Sequence, residues 1–324
     1  MAGPMNFGIY PGSAIGDDSG GIVTGPPDLP GAINDALDQL QGPASRPFLV
    51  RAYHPFRGGG SPAVSRAPVG AERYLRHGRR LDLVAQYHSA DADIDGYCAF
   101  IEELIDVYGD QIATLQVAEE PNVTTNPSLD GWYPRVTDAI IGGVSAAKAK
   151  ARRDGLTGLK VGCNSTPLIG PAAGFLAGLT AAGGDRFIAD LDYIGLDFFP
   201  DVFRPIAADR IGTVVAALLT EHRRERLTPA GLGHLPLVIT EHGWPTGPGR
   251  PPERQADVLR TVIEAIARLA GQLNIAGYTH FSLRDACSAN PDLFAQFGLM
   301  TDDYAPKPAF HAYRDLIARG IPAQ

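Results

Sequence analysis

The stretch "IATLQVAEEPN", residues 112–122, joins an apolar run to two adjacent glutamates and a proline. The run shows no strict alternation of apolar and polar residues, which is typical of a parallel strand buried on both faces. The segment therefore predicts a buried strand that carries acidic residues at its carboxyl end.

Seven further runs have the same character, and helical patterns separate them. One amphipathic stripe lies within residues 100–108 and another within 258–269, both at helical spacing. Eight strands, each followed by a helical segment, predict a single (β/α)8 barrel. The predicted strands are 5–10, 47–53, 81–87, 112–118, 159–164, 192–199, 235–241 and 275–283.

An open doubly wound sheet is the alternative fold. That fold usually carries a Gly-x-Gly-x-x-Gly fingerprint after its first strand, and "YPGSAIGDDSGG" at residues 10–21 does not match it. No linker or internal repeat divides the chain, so we expect one domain over residues 1–324. Two loops rich in Gly and Pro, at about 11–30 and 55–70, follow strands; we interpret them as surface loops or as walls of a cleft.

The composition narrows the function classes. The chain is 44% hydrophobic and 20% charged, as in soluble globular proteins, and its net charge of −8 argues against binding of nucleic acid. No apolar segment is long enough to span a membrane. The first ten residues do not resemble a secretory signal, so we expect a cytoplasmic protein unless a signal has been removed. The three scattered cysteines predict reduced, buried thiols.

Polar side chains stand at the carboxyl ends of most predicted strands. In a barrel these ends form one face, where catalytic residues are found. Glu119 and Glu120 end the fourth strand and Glu241 ends the seventh, so their carboxyl groups can face each other across the barrel. Two facing carboxyl groups suit cleavage of a glycosidic bond, with one as proton donor and the other as nucleophile or base. This chemistry requires no metal and no cofactor.

With these residues placed, the chain resembles the clan A glycoside hydrolases, which are retaining (β/α)8-barrel glycosidases. Glu120-Pro121-Asn122 resembles the Asn-Glu-Pro motif of that clan, and "VITEHGWPT" (238–246) is similar to the strand-seven motif of β-1,3-glucanase-type members. "DYIGLDFFP" (192–200) and the segment 281–313 are also similar to the clan's sequences. The resemblance implies that Glu120 is the acid/base, that Glu241 is the nucleophile and that Arg51 supports the nucleophile.

Three positions depart from the clan's pattern. Glu119 stands where an Asn normally bonds the sugar 2-hydroxyl, Phe199 where a Tyr contacts the nucleophile, and Phe281 where a Trp forms the floor of the sugar site. Glu119 either faces the cleft through a bulge at the strand end or points outward into a salt bridge. If it faces the cleft, repulsion between like charges raises one of the carboxyl pKa values.

Further residues at the strand ends are candidates for binding the substrate, which we expect to be a carbohydrate. Trp244 either packs in the core or stacks on a sugar ring, and Arg284 pairs with Asp285, pairs with backbone or binds substrate. The substrate-binding candidates are Arg51, His54, His88, Glu119, Asn122, Asn164, Asp197, Trp244 and Arg284.

Two other functions remain open at this point. One is a carbohydrate-binding barrel without turnover, which the three departures favour. The other is a metal-dependent barrel isomerase or hydrolase, in which His54, His88 and His242 would be ligands, although they form no His-x-His or His-Glu-x-x-His pair. The sugar, its linkage and the oligomeric state do not follow from the sequence.

Overall fold

Eight parallel strands close into a barrel, which confirms the predicted fold. The computed structural model describes residues 5–17, 19–58, 71–167 and 170–320. The barrel strands are β1 (Asn6–Ile9), β2 (Phe48–Phe56), β3 (Arg80–Tyr87), β4 (Ile112–Val117), β5 (Lys160–Ser165), β6 (Tyr193–Asp197), β7 (Leu237–His242) and β8 (Ile275–His280). Each strand pairs with its neighbours in chain order, and β1 closes the ring by pairing with both β8 and β2.

Seven α-helices surround the barrel in the described part of the chain. They are α1 (Pro30–Gln41), α2 (Ile94–Tyr108), α3 (Val136–Arg153), α4 (Phe175–Asp190), α5 (Ile211–Glu221), α6 (Pro252–Leu269) and α7 (Pro308–Arg319). A π-helical segment, His222–Leu227, continues α5. Short 3₁₀ segments are Ala71–Tyr74, Arg76–Gly78, Gly109–Gln111, Asp130–Trp132, Gly170–Gly174, Ala208–Arg210 and Leu293–Gln296.

The two predicted amphipathic stripes face the barrel. On α2, Ile101, Leu104 and Ile105 are fully buried or nearly so, and the Asp93 carboxylate caps the helix by accepting from the Gly96 N–H at 2.8 Å. On α6 the stripe from Val258 to Ile266 is buried in the same way. Burial of these faces attaches the helices to the barrel.

The segment between β2 and β3 differs from the prediction. A helical segment was expected after every strand, but among the described residues of this connection only 3₁₀ turns occur. Residues 59–70 of the predicted loop 55–70 lie outside the described residues. The sequence of this connection is rich in Gly and Pro, which disfavour a helix interior.

The loop at 11–30 is attached to the mouth of the barrel in its described part. It contains a short antiparallel pair, Ile15–Gly16 with Ile22–Val23. Arg284, which is fully buried, donates to Asp28 Oδ1 and Ser13 Oγ, both at 2.8 Å. On the other side, Asn126 Nδ2 donates to the Asp17 carbonyl at 2.9 Å. This loop therefore forms part of the wall at the catalytic face of the barrel.

The cysteines are all free thiols, as the sequence predicts. Cys163 is buried, whereas Cys98 and Cys287 are half-buried. Among the described residues, none of the helices combines the length and the apolar character needed to cross a bilayer.

Candidate active site

Three buried carboxyl groups meet inside the carboxyl end of the barrel. They belong to Glu119, which follows β4, to Asp197 on β6 and to Glu241 on β7, and we call them the acidic cluster. One oxygen atom from each lies within 4.8 Å of the others. Their exposed fractions are 3%, 1% and 7%. The prediction that acidic residues from the fourth and seventh strands face each other is therefore supported by their positions.

The Arg51 guanidinium supplies positive charge to this cluster. Its nitrogen atoms lie 3.2 Å from Glu119 Oε2 and 3.5 Å from Glu241 Oε1, and Nη1 lies 2.9 Å from Asp82 Oδ2. Arg51 is fully buried, so these contacts act where water screens them little. Although the spacing of the cluster would suit a metal ion, a guanidinium already lies against two of its three carboxyl groups.

Tyr53 contacts the predicted nucleophile directly. Its hydroxyl donates to Glu241 Oε1 and accepts from Arg51 Nε at 2.7 Å. Arg51 and Tyr53 are two residues apart on β2, so both side chains point into the barrel. Burial raises the pKa of Tyr53 well above its usual range, so the hydroxyl keeps its proton and remains a donor. Sequence reasoning missed this residue, although its spacing from Arg51 was a usable signal.

The Glu119 side chain points into the interior of the barrel. The residues on either side of it, Ala118 and Glu120, have left-handed backbone conformations with φ of 69° and 42°. This irregularity breaks the alternation of side chains at the strand end. Glu119 Oε2 accepts from Gln116 Nε2 at 2.5 Å and from Arg51 Nη2 at 3.2 Å. Each alternative is therefore correct in part. Glu119 faces the cleft, and the salt bridge that it forms is with Arg51 inside the cleft.

Glu119 and Asp197 are neighbouring buried carboxyl groups, with oxygen atoms within 4.8 Å of each other. Burial, followed by the nearby charges of Asp197 and Glu241, raises the pKa of Glu119 well above its usual range. Burial and Glu241 also raise the pKa of Asp197, to about 7. Asp197 accepts from Asn164 Nδ2 at 2.5 Å and from Thr240 Oγ1 at 2.6 Å, contacts that favour its carboxylate form. Burial outweighs these contacts, so both carboxyl groups keep their protons to a higher pH than exposed carboxyl groups do.

Glu120, the predicted acid/base, lies beside the acidic cluster. Its backbone N–H donates to Asn164 Oδ1 at 3.0 Å, so one Asn side chain holds both the strand-four end and Asp197. Burial raises the pKa of Glu120 well above its usual range, and the charges of Asp197 and Glu241 add to this effect. These surroundings favour the protonated carboxyl group, which is the form that an acid catalyst needs.

Three predicted substrate-binding residues lie away from the acidic cluster. His54 is fully buried and packs edge-on against Tyr108 of α2, because its side chain points to the opposite face of β2 from Arg51. Trp244 is 4% exposed, and its indole N–H donates to the Asp201 carbonyl at 3.2 Å, so it is a core residue. Arg284 is occupied by Asp28 of the loop at 11–30 and by backbone carbonyls that include that of Asp285, whereas the Asp285 side chain pairs with Lys307 at 2.7 Å.

Two other predicted residues support the loop after β4. His88 stacks on Tyr133 at 4.9 Å, and its Nε2 lies 3.2 Å from Asp130 Oδ1. Asp130 Oδ2 accepts from the backbone N–H of Glu119 at 2.7 Å. Asn122 exchanges two hydrogen bonds of 2.9 Å with the backbone of Thr166 and so joins the loops after β4 and β5. These contacts position the loops, and neither the His88 nor the Asn122 side chain lies in the acidic cluster.

The three histidines that a metal-dependent enzyme would use as ligands contact different groups. His54 lies against Tyr108 and His88 against Asp130, while His242 Nδ1 hydrogen-bonds the Tyr278 hydroxyl. Burial lowers the pKa of His242 to about 3, so this imidazole is neutral. The structure does not bring these imidazoles together as a set of metal ligands.

The chain is similar to known proteins at the level of solved structures. No protein-family model and no curated protein sequence matches the chain. A family 39 glycoside hydrolase from Bacteroides cellulosilyticus WH2 superimposes with a TM-score of 0.63 at 16% identity, covering 97% of this chain and 63% of that one. The β-glycosidase BGL167 gives a TM-score of 0.61 at 14% identity, covering 100% and 97%.

A third similar structure is an active-site mutant of the Rhizomucor miehei β-1,3-glucanosyltransferase. It gives a TM-score of 0.56 at 16% identity, covering 94% of this chain and 96% of that one. The chain spans 63% of the family 39 structure and 51% of a similar β-D-glucuronidase structure. At these identities the likeness concerns the fold, an eight-stranded parallel barrel that this chain shares with glycoside hydrolases.

Proposed function

We propose that the chain is a retaining β-glycosidase that cleaves a glycoside, an oligosaccharide or a polysaccharide by double displacement. Glu241 is the nucleophile and Glu120 the acid/base in this proposal. The observation that carries it is the environment of Glu241, whose carboxylate accepts from the Tyr53 hydroxyl beside Arg51 while the carboxyl group of Glu120 lies close enough to feel its charge. Glycoside hydrolases among the structures with the same fold support the reaction class.

The first step forms a glycosyl-enzyme. A Glu241 oxygen attacks the anomeric carbon while Glu120 gives its proton to the departing glycosidic oxygen. Tyr53 and Arg51 hold the attacking carboxylate in place, since a hydroxyl and a guanidinium both contact its Oε1 atom. Glu120 suits the donor role because its own surroundings favour the protonated form.

The second step uses the electrostatic coupling between the two glutamates. Once Glu241 carries the sugar as an ester, its negative charge is gone. Since that charge is one of the causes that raise the pKa of Glu120, the pKa of Glu120 then falls. Glu120 becomes a better base at the stage where it must take a proton from water. Attack of this water on the anomeric carbon releases the sugar with its original configuration.

Tyr53 also bears on the alternative of a barrel that binds sugar without turnover. That reading relied in part on Phe199, which lacks the hydroxyl that contacts the nucleophile in similar enzymes. Tyr53 supplies such a hydroxyl from β2. This contact favours turnover, because a nucleophile held by two donors is an arrangement that binding alone does not need.

A panel of 2,4-dinitrophenyl β-glycosides with different sugars tests the proposal. We expect wild type to hydrolyse at least one of them, Glu241→Gln to be inactive, and azide to rescue Glu241→Gly with formation of the α-glycosyl azide. Glu264→Gln, which alters an exposed glutamate of α6, is the matched control and keeps wild-type activity. Folded wild type without activity on any sugar of the panel would refute the proposal, and equal activity of wild type and Glu241→Gln would refute the assignment of the nucleophile.

A further inference from the structure

A group of phenylalanine rings lines one side of the barrel mouth. Phe199 follows β6, Phe281 follows β8, and Phe203, Phe294 and Phe297 lie in the loops after these two strands; we call them the phenylalanine wall. The ring centroids of Phe199 lie 6.4 Å from Phe281, 5.9 Å from Phe297 and 6.3 Å from Phe203. Phe203 also lies 6.3 Å from Phe294. The rings therefore form one continuous apolar surface.

Two tyrosines connect this wall to the candidate nucleophile. Tyr10 stacks on Phe281 with a centroid distance of 5.3 Å and meets Tyr53 edge-on at 5.1 Å. The Tyr53 hydroxyl donates to Glu241. An unbroken series of aromatic rings thus leads from the acidic cluster to the outer end of the wall.

The outer end of the wall is open to solvent. Phe203 is 57% exposed, whereas Phe297 at the base of the wall is 2% exposed. Phe199, Phe281 and Phe294 are partly exposed, so together with Phe203 they present a contiguous apolar patch to solvent. Such a patch beside a candidate active site indicates a contact that is completed by a bound molecule.

The chemistry of the phenylalanine wall favours an apolar group over a further sugar unit. Phenyl rings have no hydrogen-bond donor or acceptor, and the hydroxyls of the two connecting tyrosines are already used by the Ala14 carbonyl and by Glu241. A further sugar unit would bring several hydroxyl groups, which lose hydrogen bonds to water unless the protein replaces them. A hydrocarbon group has no hydrogen bonds to water to lose, and its transfer out of water is favourable in free energy.

We propose that the outer part of the phenylalanine wall, Phe203 and Phe294, binds the apolar part of an alkyl or aryl β-glycoside, so that the substrate is a glycoside with a hydrophobic aglycone. This inference rests on the proposed function, because it places the apolar group beside the bond that Glu241 and Glu120 cleave. Phe203 is then a specificity-determining residue, and its substitution changes which aglycone is accepted without changing the acidic cluster.

Equilibrium binding separates this inference from catalysis. The inactive Glu241→Gln protein is titrated calorimetrically with butyl, hexyl and octyl β-D-glucopyranosides, and with the corresponding galactopyranosides, below the concentration at which they form micelles. We expect the affinity to rise with chain length, by up to about fourfold for each added methylene. Adding Phe203→Ser weakens this dependence. Adding Trp132→Ser, which alters another exposed aromatic outside the wall, leaves it unchanged.

The outcomes distinguish the two levels of the proposal. Affinity that does not depend on chain length, or no binding of either series, would overturn the role of the wall. Affinity that instead rises from laminaribiose to laminaritetraose would also overturn it, since the wall would then accept sugar units. If chain-length dependence is present but wild type hydrolyses none of the sugars of the dinitrophenyl panel, the binding role stands and the proposed hydrolysis is refuted.

Discussion

Replacing Asp197 by Asn tests whether the acidic cluster holds protons that the unfolded chain releases. Burial and Glu241 raise the pKa of Asp197 from 3.8 to about 7. In the unfolded chain this carboxyl group loses its proton near pH 4, whereas the folded protein keeps the proton up to about pH 7. The contribution of Asp197 to the free energy of unfolding is therefore fully present below pH 4 and is lost as the pH rises to 7.

The size of this effect follows from the two pKa values. At 1.36 kcal/mol for each pH unit, the step from 3.8 to about 7 corresponds to about 4 kcal/mol. Asp197→Asn removes this titration, and it also removes a charge that raises the pKa values of Glu119 and Glu120, which acts on the pH dependence in the same direction. We therefore expect the stability of the variant relative to wild type to increase by about 4 kcal/mol between pH 4 and pH 8.

Urea unfolding followed by far-UV circular dichroism measures this difference across the pH range. Asp185→Asn, which removes an exposed carboxylate on α4, reports what the loss of one charge does to the protein as a whole. Glu119→Gln is a second comparison, because it removes a neighbouring carboxyl group whose pKa is also raised, while its amide oxygen can still accept from Arg51. Parallel curves for wild type and Asp197→Asn, differing by less than about 1 kcal/mol between pH 4 and pH 8, would refute the account of the cluster.

Three further predictions concern catalysis. Tyr53→Phe removes a hydrogen bond to the Glu241 carboxylate, worth about 1.5–3 kcal/mol, so kcat/KM falls by about 10- to 150-fold; an unchanged value would show that this contact is unimportant. Glu120→Gln lowers kcat/KM by about 10²- to 10⁴-fold for alkyl glycosides and much less for dinitrophenyl glycosides, whose leaving group needs no proton, and equal losses would contradict the acid role. Incubation with EDTA leaves hydrolysis unchanged, because Arg51 already supplies the positive charge beside Glu119 and Glu241; inactivation that zinc or magnesium reverses would favour a metal enzyme.

The sequence predicted the barrel well because each strand carries its own signal. Buried parallel strands are continuous apolar runs, and all eight predicted runs overlap a barrel strand. After β2, the described residues contain no helix beyond 3₁₀ turns, and the expectation of a helix there came from the repeating pattern and not from the residues of the segment.

The site was predictable where side chains keep the period of a strand. Arg51, Asn164, Asp197 and Glu241 lie as expected at the inner face of strand ends. His54 was misplaced because it lies on the opposite face of its strand. For Trp244 the sequence left core packing and sugar stacking open, because it does not distinguish them, and the ring is buried. The direction of Glu119 depends on left-handed backbone at its two neighbours, and neither Ala nor Glu signals that conformation.

The attachment of Arg284 to the loop at 11–30 limits how this barrel can be altered. Loops after barrel strands are ordinarily the parts that tolerate insertion, deletion and exchange between proteins. Here the loop provides the Asp28 carboxylate and other acceptors for a guanidinium with no exposed surface. Shortening or grafting the loop alone would leave this buried charge unpaired, at a cost of several kcal/mol. Position 284 and the loop therefore form one exchangeable unit, which must be transplanted or redesigned together.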